Sequence, residues 1–507
     1  AESDQRSDRN AIAPTMAGTN SPRSGPQRRI RVRYQRGPSM SGAPEGASYG
    51  VGRAPGGTGV NEATSTAGYD ESISTRAHRP GGVDAVADAA VVALAVVTGI
   101  GIRYAHPGPA VVAAFVLAMI VPSVRRIALP WLLAAAVLTT AGAVRSQQSW
   151  IELAPDRLGA FVGWARVVDD PQPYASSTRV IVEIEGERFE SWARGRARQQ
   201  RVMRWRGGEW VEVAGERRAL DPQRARRVAW QHVVGRFELD VADDVDPGGP
   251  VARASNRVRA AIERAAASIP EPHGALYRGL VIGDDRDQPR DMIDRFRASG
   301  LSHLTAVSGQ NVAFVLAACG PLLVRLRPWP RFVVTVGVIA WFVVLTRVEP
   351  SILRAGVMAG LSAFGFTTGR ERAPIRLLAI AVVGLLLVDP LLAWSVGFWL
   401  SVGATAGVCT VGPWLADRLR PLGLLALPVG ITLGAQVGVA APSLLVFGRL
   451  PFVSLVANVL AVPVAGAVML YGMPAGLVAG AVSGAAPVLM FPARIGTRWV
   501  DTVAILG

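Results

Sequence analysis

The stretch GLSHLTAVSGQNVAFVLAACG, Gly300–Gly320, decides the fold: a polar entry holding His303, Ser308, Gly309, Gln310 and Asn311 runs without a break into an apolar helix. Backbone that stops being helical at membrane depth persists only where protein buries it or where it lines a water-filled path. Side chains of this polarity are costly in lipid unless they find partners. The segment therefore reads as a pathway or gate in a channel or transporter, since lipid-facing structure alone would not need it.

The apolar residues, half of the 507, come in long runs and not in the scattered pattern of soluble domains. Asp88–Ile102, Pro109–Val121 and Ala128–Val144 form three such runs near the front, and most of the chain after Leu301 is apolar. At roughly 20 apolar residues per crossing, about 9 to 11 spans are expected, some of them broken or re-entrant. The expected fold class is a polytopic α-helical membrane protein with one small β-barrel inserted on the extracytoplasmic side and a disordered N-terminal tail.

All 53 basic residues are arginine, so charge placement carries more information than charge type. The two cysteines, Cys319 and Cys409, lie inside apolar runs, and the five histidines show neither HxH nor HExxH spacing. A disulfide framework and a zinc or di-metal hydrolase site are both unexpected, and the sequence points to no metal, no cofactor and no catalytic residue.

Residues 1–84, rich in Gly, Ser, Pro and Arg, read as a disordered cytoplasmic tail. Three transmembrane helices are expected over 85–145, an extracytoplasmic OB-like β domain over 146–250, amphipathic and charged helices over 251–299, and the channel domain over 300–507. With the basic tail inside, the third span delivers the β domain to the outside. The basic loops at Arg325–Arg331, Gly369–Arg376 and Ala416–Arg420 then fall in the cytoplasm, so both halves of the chain give one topology. The location is a multi-pass plasma (inner) membrane.

In the β domain, Arg179–Gly186, Glu209–Gly215 and Arg236–Ala242 alternate apolar with polar residues, the period of half-buried strands. Between them, Arg194, Arg196, Arg198, Arg201, Arg204 and Arg206 interleave with Trp192, Trp205 and Trp210. Cationic charge that tracks phosphates beside rings that stack on bases suits single-stranded nucleic acid, with Trp205 as the stacking residue. Solvated hairpin edges around core tryptophans fit the same pattern. Ser255–Ile269 reads as an amphipathic helix, either on the membrane surface or packed on the β domain. Gly279–Gly300, which mixes five aspartates with arginines, reads as a charge-laced helix.

Three polar groups interrupt later apolar segments. Arg354 stands in a helix with Gly356 and Gly360 at small-xxx-small spacing, where a guanidinium needs a wet cavity or a partner, Glu349 or Asp389 being available. Asp389, with Pro390, breaks two apolar segments, either facing a pathway or marking an external turn. Asn458 lies between Pro451 and Pro463 and needs an internal partner.

The motifs GLVIGD, GLSHLTAVSGQNV, PSILRAGVMAG, DPLLAWSVGFWLS and PFVSLVANVLAVPV occur in that order, and the set resembles the ComEC family of competence proteins over roughly residues 85 to 500. That resemblance implies an inner-membrane channel that passes one DNA strand, with His303, Ser308, Gly309, Gln310, Asn311, Arg354, Asp389 and Asn458 as path or gate residues. Many family members carry histidine where this chain has Asn311, so no acid–base role is expected there. The sequence also lacks the HxHxDH motif of a nuclease domain, so a short form without a built-in nuclease is expected.

The leading expectation is a channel for single-stranded DNA in natural transformation, not an enzyme. It would work in the lipid bilayer with a separate DNA receptor, nuclease and cytoplasmic motor, because a chain without lysine has no Walker A sequence to drive transport. Assembly as a homo-oligomer is compatible with this. The alternative is a secondary transporter or exporter of a small anionic solute or envelope metabolite, and a third class is a membrane scaffold.

Overall fold

The computed structural model describes residues 82–104, 125–305, 309–369, 373–448 and 454–507. The expected tail lies outside these residues except for its last three, which open helix α1 (Gly82–Tyr104). The turn after Tyr104, the second expected span and Ser308 also lie outside them.

Helix α2 (Arg125–Ile151) leads directly into a small β domain. Its strands are β1 (Gly159–Val167), the short β2 (Gln172–Pro173), β3 (Ser177–Ile184), β4 (Glu187–Arg194), β5 (Trp210–Ala219) and β6 (Val233–Asp246). They pair in the order β1-β5-β6-β4-β3, and β1 pairs again with β3, which closes a five-stranded barrel with β2 as an appendage on β3. Closure leaves no long unpaired edge. The inward set of the alternating pattern, including Val167, Ile184, Phe189, Val211 and Phe237, forms the barrel core. Between β4 and β5 the arginine-rich segment forms a helix, α3 (Arg196–Val202), and not the hairpin edge of the alternative reading. A second short helix, α4 (Pro222–Val228), capped by the Asp221 carboxylate, precedes β6.

Helix α5 (Pro250–Ala266) does not lie on the membrane surface. It buries Ile262, Ala265 and Ala266 in the main core. A Cβ on Gly480 would come within 2.1 Å of the Ala261 carbonyl oxygen, so α5 rides directly on the backbone of α16 (Ser454–Ala481). Next come α6 (His273–Ile282), α7 (Arg290–Ala298), the one-turn α8 (Ser302–Thr305) and α9 (Gly309–Leu323).

The remaining helices are α10 (Pro328–Leu345), α11 (Pro350–Thr367), α12 (Pro374–Val388), α13 (Val396–Cys409), α14 (Val411–Arg418), α15 (Ala426–Phe447), α17 (Ala486–Leu489) and α18 (Phe491–Leu506). Among the described residues three helical segments, Pro328–Leu345, Arg420–Val446 and Ser454–Ala481, are long and apolar enough to cross a membrane, and a fourth joins them if α13 and α14, bent by 41°, count as one span. That is fewer than the expected 9 to 11. Apolar α9 and α12 are only 15 residues each, and α11 carries Arg354. The architecture is that of a multi-pass membrane protein with an inserted barrel.

Glycine sets the closest helix contact. Gly403, Gly407 and Gly412 of the bent pair meet Gly434 and Gly438 of α15, Gly430 lies against Ala416, and a Cβ on Gly407 would lie 2.0 Å from the Gly434 carbonyl oxygen. Small residues spaced by one turn let backbones touch in a medium that supplies no hydrophobic drive between helices.

The bundle has two chemically distinct ends. At one end Arg376 pairs with Asp88 at the starts of α12 and α1, and the Arg331 guanidinium lies 4.9 Å from the Phe366 ring centroid. At the other, α2, α10 and α12 end, and α11 and α13 begin, against the barrel.

Candidate functional site

The barrel is fixed to the bundle by a buried ionic network centred on Asp170, in the loop after β1. Its carboxylate accepts from Arg259 of α5 at 2.7 Å and from Arg347, in the α10–α11 connection, at 2.8 Å, and it also accepts the Gly207 N–H at 2.8 Å. The Arg259 side chain is 3% exposed and donates further to the Ile282 and Leu345 carbonyls. Arg286 chelates Asp284, and Arg206 holds Glu263 through two hydrogen bonds of 3.0 and 2.6 Å. Burial alone would raise the Asp170 pKa, but Arg259, Arg347 and Arg286 together hold it well below the ordinary carboxylate range.

The adjacent carboxylate behaves in the opposite way. Burial first, and then the Asp170 charge, push Asp169 up to about 6 against the pull of Arg188, Arg347 and Arg179. Glu349, which precedes α11, is raised to about 7 by burial and by Asp169 and Asp285. The connection between them is strained: Arg347 and Val348 both hold φ near 60°, a region that a β-branched residue rarely occupies.

Beside this seam a cavity of about 560 Å³ opens between the barrel and the helix starts, lined by Arg226, Arg227, Trp230, Glu349, Ser351 and Trp394 among others. Pro350–Ser351 and Val396–Gly397, in the first turns of α11 and α13, form its bundle side, where free N–H groups and the helix dipole favour negative charge. Arg226 and Arg227 are exposed and make no ion pair among the described residues. Trp394 packs edge-on to Trp150 and carries the Arg103 guanidinium 3.6 Å from its ring centroid.

Arg354, in the second turn of α11, is 4% exposed and has no carboxylate partner among the described residues. Its Nε and Nη2 donate to the Ser401 hydroxyl of α13 at 3.1 and 2.6 Å, and Nη1 reaches the Met358 sulfur at 3.3 Å. Neither Glu349 nor Asp389, the partners offered by the sequence, is used. The guanidinium lies over the start of α9, where a Cβ on Gly309 would stand 3.0 Å from Nη2 and 2.9 Å from the Ala355 Cβ. A cation held by one hydroxyl and one thioether, beside the first residue of α9, retains capacity for an anion.

Comparison with known proteins places this arrangement. The family model described as "Competence protein" matches residues 280–506. Over those residues the chain is similar to competence proteins. The chain is 29% identical over 214 residues to "Uncharacterized protein YcaI" of Escherichia coli (strain K12), covering 38% of this chain and 28% of that protein. It is 24% identical over 197 residues to "ComE operon protein 3" of Bacillus subtilis (strain 168), covering 38% and 25%. It is 30% identical over 144 residues to "Competence protein ComA" of Neisseria gonorrhoeae, covering 26% and 20%. The matched segments thus span about a quarter of the length of these relatives. No solved structure matches.

Within the competence domain, the path residues expected from sequence separate into groups. Gly309 and Arg354 meet. Asn311 is buried and donates to the Leu280 carbonyl at 3.3 Å, while Gln310 and His303 are exposed, His303 Nδ1 lying 3.1 Å from the Gly300 carbonyl oxygen. The Asn458 Oδ1 is buried and has no hydrogen-bond partner among the described residues. Asp389 belongs to the turn at the barrel end, 3.0 Å from His232 Nε2.

The arginine run of the barrel needs a larger correction. Trp205 is 2% exposed in the barrel core, so its faces are unavailable for stacking, and Arg206 is committed to Glu263. Arg198 reaches the Asp240 carbonyl at 3.4 Å and Arg201 is also engaged. Arg194, Arg196 and Arg204 are exposed, the last two lining a groove of about 680 Å³ with Gln199 and Gln200. The residues that sequence reading missed are Arg226, Arg227 and Trp230, although RARRVAW carries the same basic and aromatic signal in a shorter run.

Proposed function

We propose that the chain is a membrane channel that passes single-stranded DNA into the cytoplasm during DNA uptake, with the barrel outside and the N-terminus inside. The observation that carries this reading is Arg354, a buried guanidinium without a carboxylate among the described residues, set in the bundle beside the start of α9. The cavity beside the helix starts lies at the barrel end of the same helix. An anionic polymer entering between barrel and bundle would meet exposed cations first, then a single desolvated one, the order that admits an anion without trapping it. The orientation follows from the basic loops at the end remote from the barrel. The names of two relatives, ComE operon protein 3 and Competence protein ComA, support the same reading.

The division into spans at 85–145, barrel at 146–250, seam helices at 251–299 and channel at 300–507 is our working partition. In this reading the chain is a conduit and not a catalyst, and a DNA receptor, a nuclease and a motor are separate proteins. The test is uptake of labelled single strands in cells carrying Arg354→Gln at normal membrane abundance. Uptake should fall at least about tenfold, a loss of 1.4 kcal/mol or more; wild-type uptake would remove the assigned role. An ion-coupled flux of a small anion, with no dependence on DNA, would instead establish the transporter reading, which the same unpaired guanidinium also suits.

A further inference from the structure

We propose that the cavity between α4 and the starts of α11 and α13 is a binding station for one nucleotide of a single DNA strand, with Arg226 and Arg227 on its phosphate and Trp230 against its base. The inference rests on the reading of DNA as cargo and moves the principal contact away from the arginine run at 194–206.

Four observations support it. The cavity, about 560 Å³, falls in the size range of small-molecule sites. Its two arginines make no ion pair among the described residues, whereas Arg206, Arg259, Arg286 and Arg347 on the neighbouring seam are all bound to carboxylates. Trp230 puts an aromatic surface in the lining beside Trp394, whose own ring is engaged by Arg103 and Trp150, and stacking of a base on a ring is indifferent to sequence, as a conduit requires. The starts of two long helices, α11 and α13, add fixed partial positive charge on the bundle side. The cavity also sits at the head of α11, which carries Arg354 in its next turn.

Glu349 lines the same cavity and, once ionised, opposes a phosphate there. A site with two cations and one partly ionised carboxylate holds a polyanion more loosely than two cations alone, which suits a station that must release each nucleotide. The groove at Arg196 and Arg204 lacks an aromatic lining and so offers charge without a stacking face.

The test uses the full chain in nanodiscs of zwitterionic lipid and a fluorescent oligothymidine, with anisotropy read across a salt series. Arg226→Ala/Arg227→Ala should weaken binding at least about tenfold and lower the magnitude of the log K against log salt slope by about 1.4, two contacts at roughly 0.7 each for single strands. Trp230→Ala should weaken binding about fivefold or more without changing the slope, and Trp230→Phe, which keeps a ring, should retain most of the affinity. Glu349→Gln should tighten binding.

Wild-type affinity and slope in the double arginine variant, or a loss that appears only in Arg196→Ala/Arg204→Ala, overturns the station while leaving DNA as cargo. Absence of oligonucleotide binding by the wild-type chain overturns both readings. An effect of the arginine pair seen only in discs of anionic lipid identifies a lipid headgroup as the occupant and also overturns the station.

Discussion

Two adjacent aspartates should respond to the same substitution with opposite signs. Asp170→Asn keeps the shape of the side chain and an oxygen for the Gly207 N–H, but leaves Arg259 and Arg347 without their shared counter-charge. Removing one member of a buried pair typically costs about 3–5 kcal/mol. Arg259 keeps the carbonyls of Ile282 and Leu345, and Arg347 keeps the Asn256 Oδ1 at 2.7 Å, so the lower end, about 3 kcal/mol, is expected. That shifts the equilibrium for releasing the seam about 100-fold. The Asp170 pKa is depressed, so its contribution is complete above the ordinary value of 3.8 and is lost as pH falls toward the folded value. The Asp169 pKa is raised from 3.8 to about 6, so its ionisation opposes folding: no cost below 3.8, a growing cost between 3.8 and 6, and a full cost of up to roughly 3 kcal/mol above 6. Asp169→Asn should therefore stabilise at pH 8 and have no effect near pH 3.5. Thermal melting of the detergent-solubilised chain, with hydrogen exchange followed over residues 250–262 and 346–349, reads both effects. Equal shifts for the two variants, or an Asp170→Asn seam as protected as wild type, would refute the charge assignment.

The other predictions follow from single contacts. Gly407→Ala places a methyl group 2.0 Å from a backbone oxygen of α15, which no rotamer change relieves, so membrane abundance of the folded chain should collapse in a fluorescence size-exclusion assay. Gly309→Ala crowds the Arg354 guanidinium at 3.0 Å and the Ala355 methyl at 2.9 Å; at a modest cost in stability it should lower DNA uptake at least about threefold by moving that guanidinium, and unchanged uptake in the folded variant would separate the start of α9 from the path. Val348→Gly relieves a β-branched residue at φ 60° and should raise stability by about 1 kcal/mol in the same melting experiment.

The parts of this molecule that were legible in the sequence are those set by local pattern. The period of two over Arg179–Gly186, Glu209–Gly215 and Arg236–Ala242 predicted β3, β5 and β6, because one face of each strand must be buried in the barrel. Arg354 stood out because an arginine in an apolar helix is costly without a reason. The seam was not legible. Asp170, Arg259 and Arg347 are separated by long stretches of chain, and each belongs to a segment that reads as ordinary surface charge, so only tertiary contact shows that they neutralise one another. Trp205 and Arg206 were misread for the same reason. A tryptophan beside arginines looks identical in sequence whether its ring faces solvent or the barrel core, and Val202 and Trp205 turn inward together.

The division of arginine between seam and route follows from electrostatics more than from arginine number. A guanidinium bidentate with a carboxylate, such as Arg206 with Glu263, presents little net field and serves as a rivet. One with no carboxylate keeps its full field, amplified where the surroundings exclude water. Between barrel and bundle the two kinds lie side by side: Arg206, Arg259, Arg286 and Arg347 are neutralised, while Arg226, Arg227 and, deeper, Arg354 are not. If the seam were an electrostatic guide, its aspartates would weaken it, and Asp170→Asn would strengthen DNA binding by exposing charge. If the seam is a fastener, the same substitution loosens the barrel and disperses the cavity, and binding falls although the chain has gained positive charge. Oligonucleotide anisotropy on Asp170→Asn distinguishes the two outcomes, and the burial of Arg259 beneath the barrel makes weaker binding the expected result.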